Sequence, residues 1–163
     1  MSVVTLTWTE QFFAAQAGAM RRISAMARRR PEPRGHPPLD LWGLDVESAG
    51  AEAAVAKLLG KYWESVHPNP GLLCGDVGNI QVRSTTRPDG RLIIRQQDKR
   101  DAPFVLVRGS MPAYDVVGWI IGADAMRDEY RNPGDGRPGV AFFVPAEKLK
   151  PIETLSREVA APK

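Results

Sequence analysis

The stretch over residues 80–95 constrains this chain more than any other. Apolar and polar residues alternate over 80–84, which puts Ile80 and Val82 on one face of a strand and Gln81 and Arg83 on the other. Arg87, Pro88, Asp89 and Gly90 follow with turn chemistry at each place: Pro88 presets φ, Asp89 tolerates the bridge region and Gly90 can take the left-handed conformation. Leu92, Ile93, Ile94 and Arg95 then read as the return strand of a hairpin. If Arg87 faces Arg91, Arg83 stands opposite Arg95. Two arginines paired across strands repel, so such a pair is either solvated or set against something negative, such as carboxylates or a phosphate.

Further strands are expected downstream. Phe104, Val105, Leu106 and Val107 form a continuous apolar run between turn signals, the pattern of a strand buried on both faces. Pro112 breaks the chain before a strand over 114–121; Gly122 and Asp124 open a short helix over 125–130; and a last strand is expected over 140–144. Pro145 starts a short helix to 149, Ile152 and Leu155 dock the tail, and residues 156–163 have few anchors. The glycine-rich loop over 132–139 lacks the Lys and the Ser or Thr of a phosphate cradle, which excludes that mode of nucleotide binding.

Two helices are expected ahead of the strands. Thr7 and Glu10 form a capping box, and Trp8, Phe12, Ala15, Ala19, Ile23 and Met26 recur at helical spacing as one apolar, core-facing stripe. Arg21 and Arg28 fall opposite that stripe, with Arg22 and Arg29 on its flank. Residues 31–38, rich in proline, cannot propagate a helix and make an extended connector, which Trp42 and Leu44 anchor to the core. The second helix is expected over 49–63, opened by Ser48 or Glu47, with Ala51, Val55, Leu58, Leu59 and Tyr62 as its apolar arc. Glu52 sits at the edge of that arc, where a carboxylate is costly unless a cation meets it.

With 163 residues, 43% hydrophobic and 25% charged, the chain suits one soluble domain. Its apolar runs fall far short of the roughly 20 residues of a membrane span, so no membrane partner is expected. Cys74 is alone, so no disulfide framework can form within one chain, and a reducing, cytoplasmic setting is the default. No second His or Cys stands at a metal-ligand interval from His36 or His67, which read as solvated loop residues. Net charge is only +3, but residues 21–34 hold Arg21, Arg22, Arg28, Arg29, Arg30 and Arg34 against one acid, Glu32. Clustered arginine is either a solvated face or the electrostatic footprint of a polyanionic partner.

The run Gly50-Ala51-Glu52-Ala53-Ala54-Val55-Ala56-Lys57-Leu58-Leu59-Gly60, then Tyr62-Trp63, then Gly75-Asp76-Val77-Gly78-Asn79-Ile80-Gln81-Val82-Arg83, resembles the PD-(D/E)XK nuclease superfamily, especially its small phage-borne members. Asp76 matches the first acid, Gln81-Val82-Arg83 stands where the pattern has Glu-x-Lys, and Glu52 matches a glutamate on the preceding helix. The resemblance implies an α/β, restriction-endonuclease-like core with a central mixed sheet of about five strands flanked by helices. One domain would span 1–163, with a basic helix and connector over 1–38, the core over 39–155 and a frayed tail over 156–163. It also implies a metal-dependent phosphodiesterase in which Mg²⁺ or Mn²⁺ activates a water against a nucleic-acid, probably DNA, backbone. Glu52, Asp76 and Gln81 would hold the metal, Gln81 as a neutral ligand. Arg83 would complete the catalytic group by gripping the scissile phosphate, since it stays charged and cannot act as a base. Arg21, Arg22, Arg28, Arg29 and Arg95 would contact nucleic acid, with the protein acting alone or as a homodimer. Two alternatives stay open: a nucleic-acid-binding relative that has lost its metal, and a small structural or inhibitory interaction protein.

Overall fold

The computed structural model describes residues 2–28, 40–65, 75–132 and 141–155. Among them the chain runs β1 (Ser2–Thr5), α1 (Trp8–Ala27), α2 (Asp40–Leu59), β2 (Gln81–Thr85), β3 (Leu92–Arg95), β4 (Pro103–Ser110), β5 (Ala113–Ile121), α3 (Gly122–Ala125), β6 (Arg131–Asn132) and β7 (Ala141–Val144). The fold is mixed α/β. In place of one sheet of about five strands, the described residues form a four-stranded sheet in the order β1-β5-β4-β2 and a three-stranded sheet in the order β3-β7-β6. β2 and β4 are parallel, and every other pairing is antiparallel.

β4 explains why there are two sheets. Val105 and Val107 join Val82, Val116 and the α2 residues Ala51, Ala54 and Val55 in one core. Phe104 and Leu106 point the other way and join Leu92, Ile94 and Val144 of the second sheet in another. A strand apolar on both faces thus sits between two cores, as its continuous run predicts. The expected hairpin over 80–95 does not form: β2 pairs with β4, Arg83 opposite Leu106, while β3 pairs with β7, Arg95 opposite Ala141. Ile80 and Val82 are claimed by the core under α2, and Leu92 and Ile94 by the core on the far side. The turn at Arg87–Gly90 therefore carries the chain from one sheet to the other, and the long crossover that a parallel pair requires contains β3.

Other boundaries shift in the same way. β1 was not expected; it is short, and it is held by pairing Ser2 through Thr5 with β5 and by burial of Val4 and Leu6. α2 begins at Asp40, so Trp42 and Leu44 lie in its first turns, both partly exposed. Tyr62 lies beyond the helix and is exposed. The expected helix over 125–130 divides into α3 and a 3-10 turn at Asp128–Tyr130, and the one after Pro145 is a 3-10 turn at Ala146–Lys148. Ile152 and Leu155 are buried, and the Trp119 indole N–H donates to Thr154 Oγ1 at 2.9 Å, which docks the tail. The connector over 31–38, both histidines, Cys74 and residues 156–163 lie outside the described residues.

α1 has the predicted cap: the Glu10 N–H donates to Thr7 Oγ1 at 3.3 Å, and the Thr7 N–H donates to Glu10 Oε2 at 2.6 Å. Its orientation is the reverse of the one predicted. Trp8, Phe12, Ile23 and Met26 are exposed, while Ala14, Ala17, Gly18 and Arg22 are buried against α2. The physical reason lies in the partner helix. Small residues let the two backbones approach so closely that a Cβ on Gly18 would stand 2.5 Å from Val46 Cα, and α2 offers carboxylates at Asp45 and Glu52 to meet the arginines.

Candidate functional site

Glu52 lies on the α2 face turned toward α1 and is 5% exposed. The Arg21 guanidinium meets its carboxylate as a fork, Nη1 to Oε1 and Nη2 to Oε2 both at 2.6 Å, and the Trp63 indole N–H donates to Oε2 at 3.1 Å. Arg21 also donates to the Ser65 carbonyl, which holds the guanidinium in place. Arg22 pairs with Asp45 at 3.2 Å. Arg21 and Arg22, expected to contact nucleic acid, are therefore engaged inside the molecule. Arg28 is exposed at the C-cap of α1, and Arg29 lies outside the described residues.

Asp76 opens the tight loop before β2. Its own N–H donates to the Ile80 carbonyl at 2.7 Å, and its Oδ2 accepts from the Val82 N–H at 2.7 Å. Gly78 makes the loop possible with φ of +64°. Burial pushes the Glu52 carboxyl above its ordinary value, and the charge of Asp76 adds to the rise, against the pull of Arg21 and Trp63. The same two carboxylates hold Arg21 more firmly charged despite its burial. The two partners thus pull in different senses, and we take the ion pair as the ground state. A guanidinium does not give up its proton, and a neutral Glu52 would leave that buried cation uncompensated.

The structure thus brings Glu52 and Asp76 within electrostatic reach of each other, with Arg21 as their shared cation. It does not bring Gln81 and Arg83 to them. Val82 packs under α2, so alternation sends its neighbours to the opposite face of the sheet. There Gln81 registers with Phe104, and the Arg83 guanidinium lies 5.2 Å from the centroid of the Phe104 ring while Nη2 pairs with Asp98 at 3.1 Å. Among the described residues no group of three or more His, Cys, Asp or Glu stands together as a metal site. Asp98 acts as a turn acid, its Oδ2 also accepting from the Arg95 N–H at 2.9 Å.

That opposite face holds a cleft of about 560 Å³ between β2 and β3, lined by Arg83, Arg87, Arg91, Arg95, Ile93 and Phe143 among others. On β3, Leu92 and Ile94 point into the core, so Arg91, Ile93 and Arg95 share the outward face. Arg87 pairs with Asp89 at 3.1 Å and holds that carboxyl below its usual value. Arg108 donates twice to the Gly90 carbonyl, at 3.0 and 2.7 Å, and a Cβ on Gly90 would collide with the Thr85 methyl, so the turn is seated tightly on β2. Four arginines thus face two carboxylates, Asp89 and Asp98, and among the described residues the Arg91 and Arg95 guanidiniums have no acidic partner. Arg87 and Arg91 were not among the binding residues expected from sequence. The signal is present in the spacing of Arg91, Ile93 and Arg95, but the same alternation fits one side of a hairpin ladder equally well. Comparison with protein-family models, with curated proteins and with solved structures finds no match for this chain.

Proposed function

We propose that the arginine-lined cleft binds the phosphate backbone of a nucleic acid. The observation that carries this reading is the convergence of four arginines on one open cleft, two of them without a carboxylate partner among the described residues. Guanidinium forks suit phosphate oxygens, and Ile93 and Phe143 in the same wall offer apolar surface to a sugar or base. A cytoplasmic location accords with the lone Cys74. The test is fluorescence anisotropy with labelled duplex DNA, single-stranded DNA and RNA between 50 and 200 mM salt. Binding should weaken linearly on a log–log plot, and Arg91→Glu with Arg95→Glu should lower the slope by about 2. Unchanged anisotropy at low salt, or a charge-reversed variant that binds like the parent, removes the proposal.

A second reading, a metal-dependent phosphodiesterase on a restriction-endonuclease-like core, is favoured by one observation: the charge of Asp76 reaches Glu52. The parallel β2–β4 pair with α2 on one face is compatible with such a core. The donor set as it stands does not fit Mg²⁺ or Mn²⁺, because Arg21 takes both Glu52 oxygens and Gln81 lies on the other side of the strand. Plasmid and branched DNA incubated with Mg²⁺, Mn²⁺ or EDTA decide it. Cleavage that needs metal and is lost in Asp76→Asn would establish this reading over the binding one.

A further inference from the structure

α1 carries its charges on the inside. Glu10 pairs with Lys57, Arg21 with Glu52 and Arg22 with Asp45, all toward α2. The outward face carries Trp8 (76% exposed), Phe13 (57%), Met20 (50%), Met26 (49%), Ile23 (48%) and Phe12 (47%), and Trp8 stacks on Phe12 with centroids 5.6 Å apart. At 100° per residue these six fall within an arc of about 140°, interrupted only by Thr9, Gln16, Ala19 and Ala27. With aromatic surfaces of about 150–250 Å² each, their exposed parts sum to on the order of 600 Å². That reaches the top of the range of about 300–600 Å² for the largest apolar patch on a monomer and approaches the roughly 800 Å² per partner of a stable interface.

We propose that this face is the contact of a two-fold homodimer, in which α1 packs antiparallel on α1 of a second copy. The pattern is self-complementary about a point near residue 17. Trp8 then meets Met26 of the second copy, Phe12 meets Ile23 and Phe13 meets Met20, so that aromatic residues at one end face thioether and aliphatic residues at the other. Gln16, whose amide both donates and accepts, falls close to its own counterpart at the axis. A helix lying on an anionic membrane would instead carry a cationic rim, and here both arginines of α1 are spent on α2.

The full chain is examined by analytical ultracentrifugation over a hundredfold range of concentration, alone and with anionic phospholipid vesicles. The expected result is a species of about twice the 17.9 kDa of one chain that does not sediment with vesicles, and Phe12→Asp should weaken it about tenfold or more with an unchanged circular-dichroism spectrum. In a Cys74→Ser background, Gln16→Cys should cross-link the two copies on oxidation. Thr9→Cys should not, because antiparallel packing separates that pair by about 24 Å along the axis. A monomer at every concentration, a dimer indifferent to Phe12→Asp, cross-linking through position 9 in place of 16, or vesicle binding by a monomer would each overturn the proposal.

Discussion

Replacing Arg21 by Met tests the central electrostatic claim, that this side chain is the cation for two neighbouring carboxylates. Met keeps most of the aliphatic stem and removes the charge and both fork hydrogen bonds, leaving Glu52 5% exposed with the Trp63 indole as its remaining donor. Breaking a buried pair from one side costs about 3–5 kcal/mol. Arg21 is itself 29% exposed, so water reaches the site and the lower end applies, about 3 kcal/mol at pH 8. Glu52→Gln should cost less, about 1–2 kcal/mol, because the guanidinium it strands keeps the Ser65 carbonyl and the charge of Asp76.

The pH dependence separates this account from a simple loss of packing. Glu52 already has a folded-state value above its ordinary one, first through burial and then through Asp76. Removing Arg21 takes away the main opposing pull and raises it further. A carboxyl raised in the folded state contributes most below its unfolded value, and that contribution is lost as pH rises through the folded value. Each further unit of rise costs about 1.4 kcal/mol on the alkaline side, so Arg21→Met should be less destabilised at pH 5 than at pH 8 by about that amount. Glu52→Gln removes the titrating group, so its cost relative to the parent should change in the opposite sense, growing toward pH 5 where the parent's raised carboxyl takes up its proton. Urea unfolding followed by Trp fluorescence at one fixed protomer concentration measures both. An Arg21→Met cost within 0.5 kcal/mol of zero, or one that grows toward pH 5, refutes the reasoning.

Two further substitutions probe how α1 is held. Gly18→Val should lose about 1–3 kcal/mol in the same unfolding assay, since any Cβ there meets the Val46 backbone of α2; a neutral result would mean that the helices are not in contact at this point. Glu10→Gln should lose about 0.5–1 kcal/mol at neutral pH, because the Lys57 hydrogen bond and the Thr7 cap hold the carboxyl below its usual value, discounted because the pair is solvent-exposed. The parent's margin over this variant should shrink as pH falls through the lowered folded value, and a margin that grows in acid contradicts the assignment.

What the sequence made legible follows from how local each signal is. The Thr7 and Glu10 cap, the doubly buried run at 104–107 and the tail anchors Ile152 and Leu155 were readable because each depends on a few neighbouring residues. The hairpin expected over 80–95 does not form because turn chemistry at Arg87–Gly90 fixes a reversal of direction without fixing which strand lies alongside. That choice was made beyond the hairpin itself, by a β4 with two apolar faces to cover. Glu52, at the edge of an apolar arc, is a carboxylate that needs a cation, and it has one. Its partner is on α1, and no spacing within one helix could reveal it.

The orientation of α1 ties these findings together. Periodicity can show that a helix has two unlike faces, but not which one a monomer buries; the neighbouring element decides. Here α2 presents small residues and two carboxylates, and against them a face of Ala14, Ala17, Gly18 and arginines is the better fit. Two arginines that composition assigned to a polyanion thereby become structural, and six large apolar side chains are turned to water. The case for a nucleic-acid partner accordingly moves from α1 to the β2–β3 cleft, where Arg91 and Arg95 face outward. The two surfaces make opposite demands on salt: phosphate binding at the cleft should fall steeply as ionic strength rises, whereas association through an uncharged aromatic face should hold or strengthen in sulfate. A single salt series that follows anisotropy and sedimentation together therefore assigns each property to its own face, and a parallel loss of both would place them on one surface.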